Sequence, residues 1–292
     1  MNDYLLEKRL RSLDPALHRR AKDSFVVLQK TLESFFSWFP DFTDHSVLHS
    51  MDVLDFTNRL LADRAEKLSV AECYVLIMAC YMHDVGMGIS SEDYEVFSRE
   101  LDLEAYKAEH PDADEPRIIR DFHNEFSGCF IRKYADVFDI PGELTFPIVQ
   151  VSRGHRKTDL YDEKEYPVIE LESGVVRTPL LAALIRLADE IDIAADRNPE
   201  IMFDASTYTK QVDIDAFGTH ESIRMVDVRE DSIVLIVKPK EPRYEELIRK
   251  LAEKVQETLD YCREVTEKRS DIVITQKKVL IETWNDSVQY MI

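Results

Sequence analysis

Six side chains able to bind a metal recur along the chain every 32 to 40 residues: His49, the adjacent His83 and Asp84, His123, His155 and Asp189. The sequence holds 8 histidines, so half of them fall into this series. A lone histidine on a half-buried helix is usually a hydrogen-bonded structural residue, and a His-Asp dipeptide arises by chance. The joint spacing is what reads as a metal-site layout. Cys73, Cys80, Cys129 and Cys262 are scattered without disulfide or metal spacing and stay outside it.

These residues must be brought together by helices. Thr43 or Asp44 caps a segment whose apolar Val47, Met51, Leu54 and Leu61 recur at helical spacing, placing His45, His49, Asp52 and Phe56 on another stripe. His45 and His49 are then neighbours on one face. Ser69-Val70-Ala71-Glu72 reads as a capping box opening the nearly uncharged run Val70 to Met82, too short to cross a membrane and suited to a buried core helix. It delivers His83 and Asp84 to its end. Successive residues in a helix diverge by about 100°, so these two can converge only where the helix unwinds, as Gly86 and Gly88 permit.

Pro116 opens the next helix, where Ile119, Phe122, Phe126 and Phe130 are spaced for burial and His123 falls mid-helix, with Arg120 one turn earlier on its side. The segment Leu144 to Val151 leads to Gly154, so His155 sits just past a helix terminus beside Arg153, Arg156 and Lys157. Thr178-Pro179 caps a helix with Leu180, Leu184, Leu187 and Ile191 as its buried stripe, while Asp189, Asp192 and Asp196 project elsewhere. Arg186, one turn before Asp189, is expected to pair with a carboxylate.

The pattern resembles the HD superfamily of metal-dependent phosphohydrolases, whose signature of a His, a His-Asp pair and a distant Asp is met by His49, His83-Asp84 and Asp189. The likeness continues in Thr43 to Ser50, Arg120 to Ser127, Arg153-Gly154-His155 and Leu187 to Asp192, which look like the HD-CE branch, often fused to histidine-kinase-type ATPase domains. It covers roughly residues 40 to 200 and departs from that branch at Asn124, where a second histidine is common. The resemblance implies an HD-type helical bundle over residues 1–200 that hydrolyses a phosphoester of a nucleotide or other small phosphorylated metabolite.

On that reading the metal ligands are His49, His83, Asp84, His123, His155 and Asp189. With two ions, Asp84 is the natural bridge, His49, His83 and Asp189 hold one, and His123 and His155 hold the other. Such a pair makes hydroxide available near neutral pH and neutralises phosphoryl oxygens, giving Asp84, His123 and His155 catalytic roles. Imidazoles mixed with carboxylates suit Mn, Fe, Ni, Co or Zn; Mg is admitted but favours more oxygen. His45, Arg120, Arg153, Arg156 and Lys157 are the candidates for substrate contact, with His45 equally able to cap its helix. Asp192 is expected behind a ligand or as a surface charge. The alternative to hydrolysis is a nucleotide-sensing or regulatory module that partners an ATPase and turns over little.

With 57 acidic against 37 basic residues the net charge is -20, which disfavours nonspecific binding of duplex nucleic acid. No signal peptide or membrane span is read, and a reducing cytoplasm is expected. Residues 89–115 are strongly acidic and suit a solvated helix and loop or a lid. After about residue 200 the pattern changes: Ser222 to Val228 and Ser232 to Val237 read as strands, Tyr244 to about Glu267 as a helix and Val279 to Trp284 as a strand. The fold class is therefore mainly α, with a smaller C-terminal α+β unit over 201–292 that serves assembly as a homo-oligomer, gating or partner docking.

Overall fold

The computed structural model describes residues 4–32, 47–156, 158–194 and 211–285. It is built around one apolar helix. Helix α4 (Val70–Met82) has no polar face, so it can be stable only when covered on every side, and all its residues after Val70 are buried. The covering helices are α1 (Leu5–Leu13), α2 (Pro15–Leu32), α3 (Val47–Leu61), α8 (Gly142–Arg153) and α9 (Thr178–Glu190). Each fully buried Leu, Ile or Met contributes about 1.5–3 kcal/mol relative to exposure. Counted through the following turn, Val70 to Gly88 is 19 residues long and apolar enough to span a membrane, contrary to the expectation that no such run exists, but 94% of that window is buried in the protein.

The start of α4 is fixed by charge as well as by apolar cover. Ser69 and Glu72 form the expected capping box, with the Glu72 amide donating to Ser69 Oγ at 3.0 Å and the Ser69 amide to Glu72 Oε2 at 2.9 Å. The Glu72 carboxylate is fully buried and is gripped by both Nε and Nη2 of Arg177, each at 2.7 Å. Arg177 belongs to a short hairpin of β1 (Val168–Leu171) and β2 (Gly174–Arg177), whose four-residue strands show no periodic pattern in the sequence. Its turn needs Gly174, where φ is +115° and a Cβ would strike Ser69.

At the other end the chain leaves α4 through His83 and Asp84 into a 3-10 turn, Val85–Gly88. That turn packs on α7 (Glu115–Tyr134), the helix opened by Pro116 and capped by Asp114. The acidic stretch between them forms α5 (Ser91–Glu100) and α6 (Glu104–Glu109), whose carboxylates are mostly exposed. Thr178 is the first residue of α9 rather than its cap: its hydroxyl donates to the Pro167 carbonyl at 2.7 Å.

The C-terminal part opens with α10 (Gln211–Ser222), absent from the sequence expectation, followed by β3 (Ile223–Val228) and β4 (Ser232–Val237) as an antiparallel pair. Helix α11 (Pro242–Arg269) then carries the chain to β5 (Lys278–Thr283), which lies parallel to β4 in the order β3-β4-β5. Ile248, Ala252, Val255, Leu259, Cys262 and Val265 give α11 an apolar stripe that packs on α9 and β5. The stripe joins the same buried core as α4.

Replacing Arg177 by Met strands the Glu72 carboxylate without its cation inside the core, and a loss of about 3–5 kcal/mol in urea unfolding is expected. The double variant Glu72→Gln with Arg177→Met should lose less than Arg177→Met alone.

Candidate metal centre

Four imidazoles and two carboxylates meet where the end of α4 faces α3, α7, α8 and α9. His49 comes from α3, and His83 is the C-cap of α4. Asp84 follows with φ -102° and ψ 5°, off the helical path, which turns its side chain toward the imidazoles. His123 lies in mid-α7, and His155 follows the C-cap Gly154 of α8. Asp189 sits in the last turn of α9.

The six residues form two adjoining groups that share Asp84. Around Asp84 Oδ2, His49 Nε2 and His83 Nε2 stand at 3.4 and 3.6 Å, 3.1 Å from each other, and His49 Nε2 is 3.2 Å from Asp189 Oδ1. Around Asp84 Oδ1, His123 Nε2 and His155 Nε2 stand at 3.4 and 3.5 Å and are 2.9 Å apart. One carboxylate thus presents one oxygen to each group. All but Asp189 are buried, and the Asp189 side chain is 21% exposed, so the centre opens on that side.

The proton inventory decides what these groups can hold. The Nδ1–H groups of His83, His123 and His155 donate to the backbone carbonyls of Cys80, Arg120 and Ser152, each three residues earlier, at 2.9, 2.7 and 2.6 Å. His49 Nδ1–H donates to Asp192 Oδ2 at 2.6 Å. A carbonyl can only accept, so in the neutral ring Nε2 is a bare lone pair. Pairs of lone pairs at 2.9 and 3.1 Å, backed by carboxylate oxygens, repel one another unless a cation lies among them. Donors about 2.1 Å from one metal stand about 3.0 Å apart in octahedral and about 3.4 Å in tetrahedral geometry, which matches these spacings. The residues therefore fit a divalent metal in each group.

Electrostatics favours the same state. Burial holds His155 well below the usual histidine range, and positive charge on His83 or His123 would push it lower. Burial, with the nearby charge of Arg156, also lowers His123. Burial alone would raise Asp189; protonated His49 and charged imidazoles around it would overcome this and hold the carboxyl below the ordinary carboxylate range, and with the rings neutral a bound cation must supply that positive charge. Neutral imidazoles and ionised carboxylates are the forms that ligate metal.

The buried end of α4 is kept intact by Ser127 of α7, whose hydroxyl accepts from the Gly86 amide at 2.8 Å and donates to the His83 carbonyl at 2.6 Å. At Gly86 an added Cβ would lie 2.2 Å from the His123 carbonyl oxygen, so glycine is required for this approach.

The proposed substrate contacts fare differently. His45 and Lys157 lie outside the described residues, as do Thr43, Asp44 and Asp196. Arg156 and Arg120 are exposed near the second group, and the charge of Arg156 acts on His123. Arg153 is corrected: Glu125 binds its Nε and Nη2 at 2.8 and 3.1 Å, and Glu165 and Gln150 share its Nη1, so its guanidinium is occupied by structural partners. Arg186 is corrected as well: it binds the carbonyls of Gly154 and Thr158 rather than a carboxylate. Lys254 of α11, which no local signal marks, pairs at 2.8 Å with Glu190, next to Asp189. Ser127 closes the Arg120 to Ser127 motif, but its role exists only once the turn meets α7.

The helical fold and this paired His-Asp centre define an HD-type domain. Over residues 39–270, well over half its length, the chain matches the HD-CE family, and it belongs to that family. The match runs through α11, past residue 200 where the motif resemblance ends. No curated protein matches the chain.

Asp192→Asn replaces the carboxyl acceptor behind His49 with an amide. Metal affinity in the His49 group should fall about 10–100-fold while the His123 group is retained, as read by competition with a chromophoric chelator.

Proposed function

We propose that the chain is a metal-dependent phosphohydrolase acting on a nucleotide or another small phosphorylated metabolite. The observation that carries this reading is the division of Asp84 between two groups of metal-competent donors. Divalent ions bound there supply Lewis acidity and a nucleophilic water near neutral pH. Asp84 faces both groups, one oxygen to each, and would hold an ion on either side, so its carboxylate sets the separation of the two groups. His49, His83 and Asp189 define one group; His123 and His155 define the other. The hydrogen bonds from each Nδ1 fix the rings so that Nε2 faces inward, which removes the reorientation otherwise needed at the moment of reaction.

Substrate enters on the side where Asp189 is exposed. Arg156 and Lys254 flank Glu190 there, since both charges act on that carboxylate, and they offer local cations to a phosphate approaching an otherwise negative protein. The second reading, a regulatory module that senses a nucleotide beside an ATPase, draws on the domain company of the HD-CE branch. Retention of both donor groups favours turnover over sensing alone. Residues 201–292 serve assembly, access or partner docking in either case, with α11 seated on α9.

Purified protein should carry up to two transition-metal ions per chain, and Asp84→Ala should lose most of both by elemental analysis. His123→Ala should keep about one ion while hydrolysis across a panel of nucleotides and cyclic nucleotides, with Mn, Ni, Co or Mg, falls by about two orders of magnitude or more. Wild-type protein that takes up no metal, or that binds it without hydrolysing any member of the panel, rules out the hydrolytic reading.

A further inference from the structure

We propose that Arg186 is a positioning residue for His155, and that it ties the second donor group to α11 through Tyr261. The inference rests on the two-metal reading of the centre. Among the four imidazoles His155 is the one least supported by its own helix. It follows α8, and the local backbone bonds at this point, from His155 N to Ser152 O and from Arg156 N to Arg153 O, are both long at 3.4 Å. His49 and His123, in contrast, lie within continuous helices.

A single guanidinium makes up the deficit. Arg186 Nε donates to the Gly154 carbonyl at 2.7 Å, and Nη2 donates to the Thr158 carbonyl at 2.8 Å and to Thr158 Oγ1 at 3.0 Å. These acceptors bracket His155 and Arg156. Among the described residues Arg186 pairs with no carboxylate, although the chain is rich in them, so its charge is spent on shaping backbone. Gly154 lies close against α9, with the place of its missing Cβ 2.5 Å from Ala182 Cβ, one turn before Arg186.

The opposite face of the guanidinium leads into the C-terminal part. Its carbon lies 5.0 Å from the centre of the Tyr261 ring of α11, and Tyr261 Oη accepts from the Leu160 amide at 2.8 Å. Gly154 and Thr158 are thus held by Arg186, and Leu160 by Tyr261. A lysine carries its N–H donors on a single nitrogen and cannot span both carbonyls as a planar fork or stack as a plane, so Arg186→Lys removes the positioning while keeping the charge.

The test titrates the metal-free full-length chain with Co2+ by visible absorption and follows backbone amide exchange in the metal-free state. For Arg186→Lys the first equivalent of Co2+ should bind within about threefold of wild type and the second about 10–100-fold more weakly. Exchange across 154–160 should accelerate at least about tenfold while α7 stays unchanged. Parallel weakening of both equivalents, or faster exchange throughout, assigns Arg186 a general structural role and overturns the proposal. Unchanged exchange at 154–160 overturns it whatever the titration gives, whereas wild-type protein that takes up fewer than two Co2+ sinks the two-metal reading itself. If Arg186→Lys does not fold, Tyr261→Phe examines the same segment: faster exchange at Leu160 with a weaker second equivalent supports the proposal, and no change in either overturns it.

Discussion

A carboxylate buried at the end of a buried helix is the constraint on which the rest of this structure depends. Asp84 can stay ionised there only if positive charge or strong donors surround it, and four imidazoles whose inward nitrogens carry no hydrogen cannot meet that need by themselves. The same location creates a second demand, because the last carbonyls of α4 have no water to bond. His83 satisfies Cys80 with its own ring, and Ser127 satisfies His83 and the Gly86 amide together. Ending α4 inside the protein is thus what brings His83 and Asp84 into contact with α7, α8 and α9. The capping box and the Arg177 grip at its other end set where along the core that point falls.

What the sequence made legible was local. The capping box at Ser69 and Glu72, the glycines after Asp84, Pro116 at the head of α7 and Gly154 before His155 are each signals whose meaning is settled within a few residues, and each recurs in the structure. The same holds for β3, β4, α11 and β5, whose apolar runs or helical periods need no partner to be read. What stayed hidden depends on groups distant in the chain. Arg153 looked available because Glu125 and Glu165 lie on other segments, and Arg186 looked like an ion-pair partner because backbone carbonyls leave no mark in a sequence. The β1-β2 hairpin is too short for any period, and its reason for existing, the delivery of Arg177 to Glu72, is wholly tertiary.

The charge balance has a spatial reading as well. A net charge of -20 repels anions at long range, yet the cations near the open side of the centre, Arg156 just past α8 and Lys254 on α11, come from segments far apart in the chain. Screening in physiological salt confines the repulsion to about 8 Å, so a phosphate that reaches the mouth responds mainly to these nearby groups. Because α11 supplies Lys254 and also lies against Arg186, its seating on α9 affects both the approach and the donor geometry.

Gly86 carries a consequence for descent rather than for chemistry. Any side chain there collides with the backbone of α7 at His123 and Ser127, and the collision can be relieved only by moving the turn that presents Asp84. A lineage that keeps all its metal ligands but replaces this glycine has therefore altered the spacing between its two donor groups, and a lineage that has abandoned the centre is free to fill the position. A residue that holds no metal thus becomes a marker for sorting relatives with a working centre from those that retain only its letters.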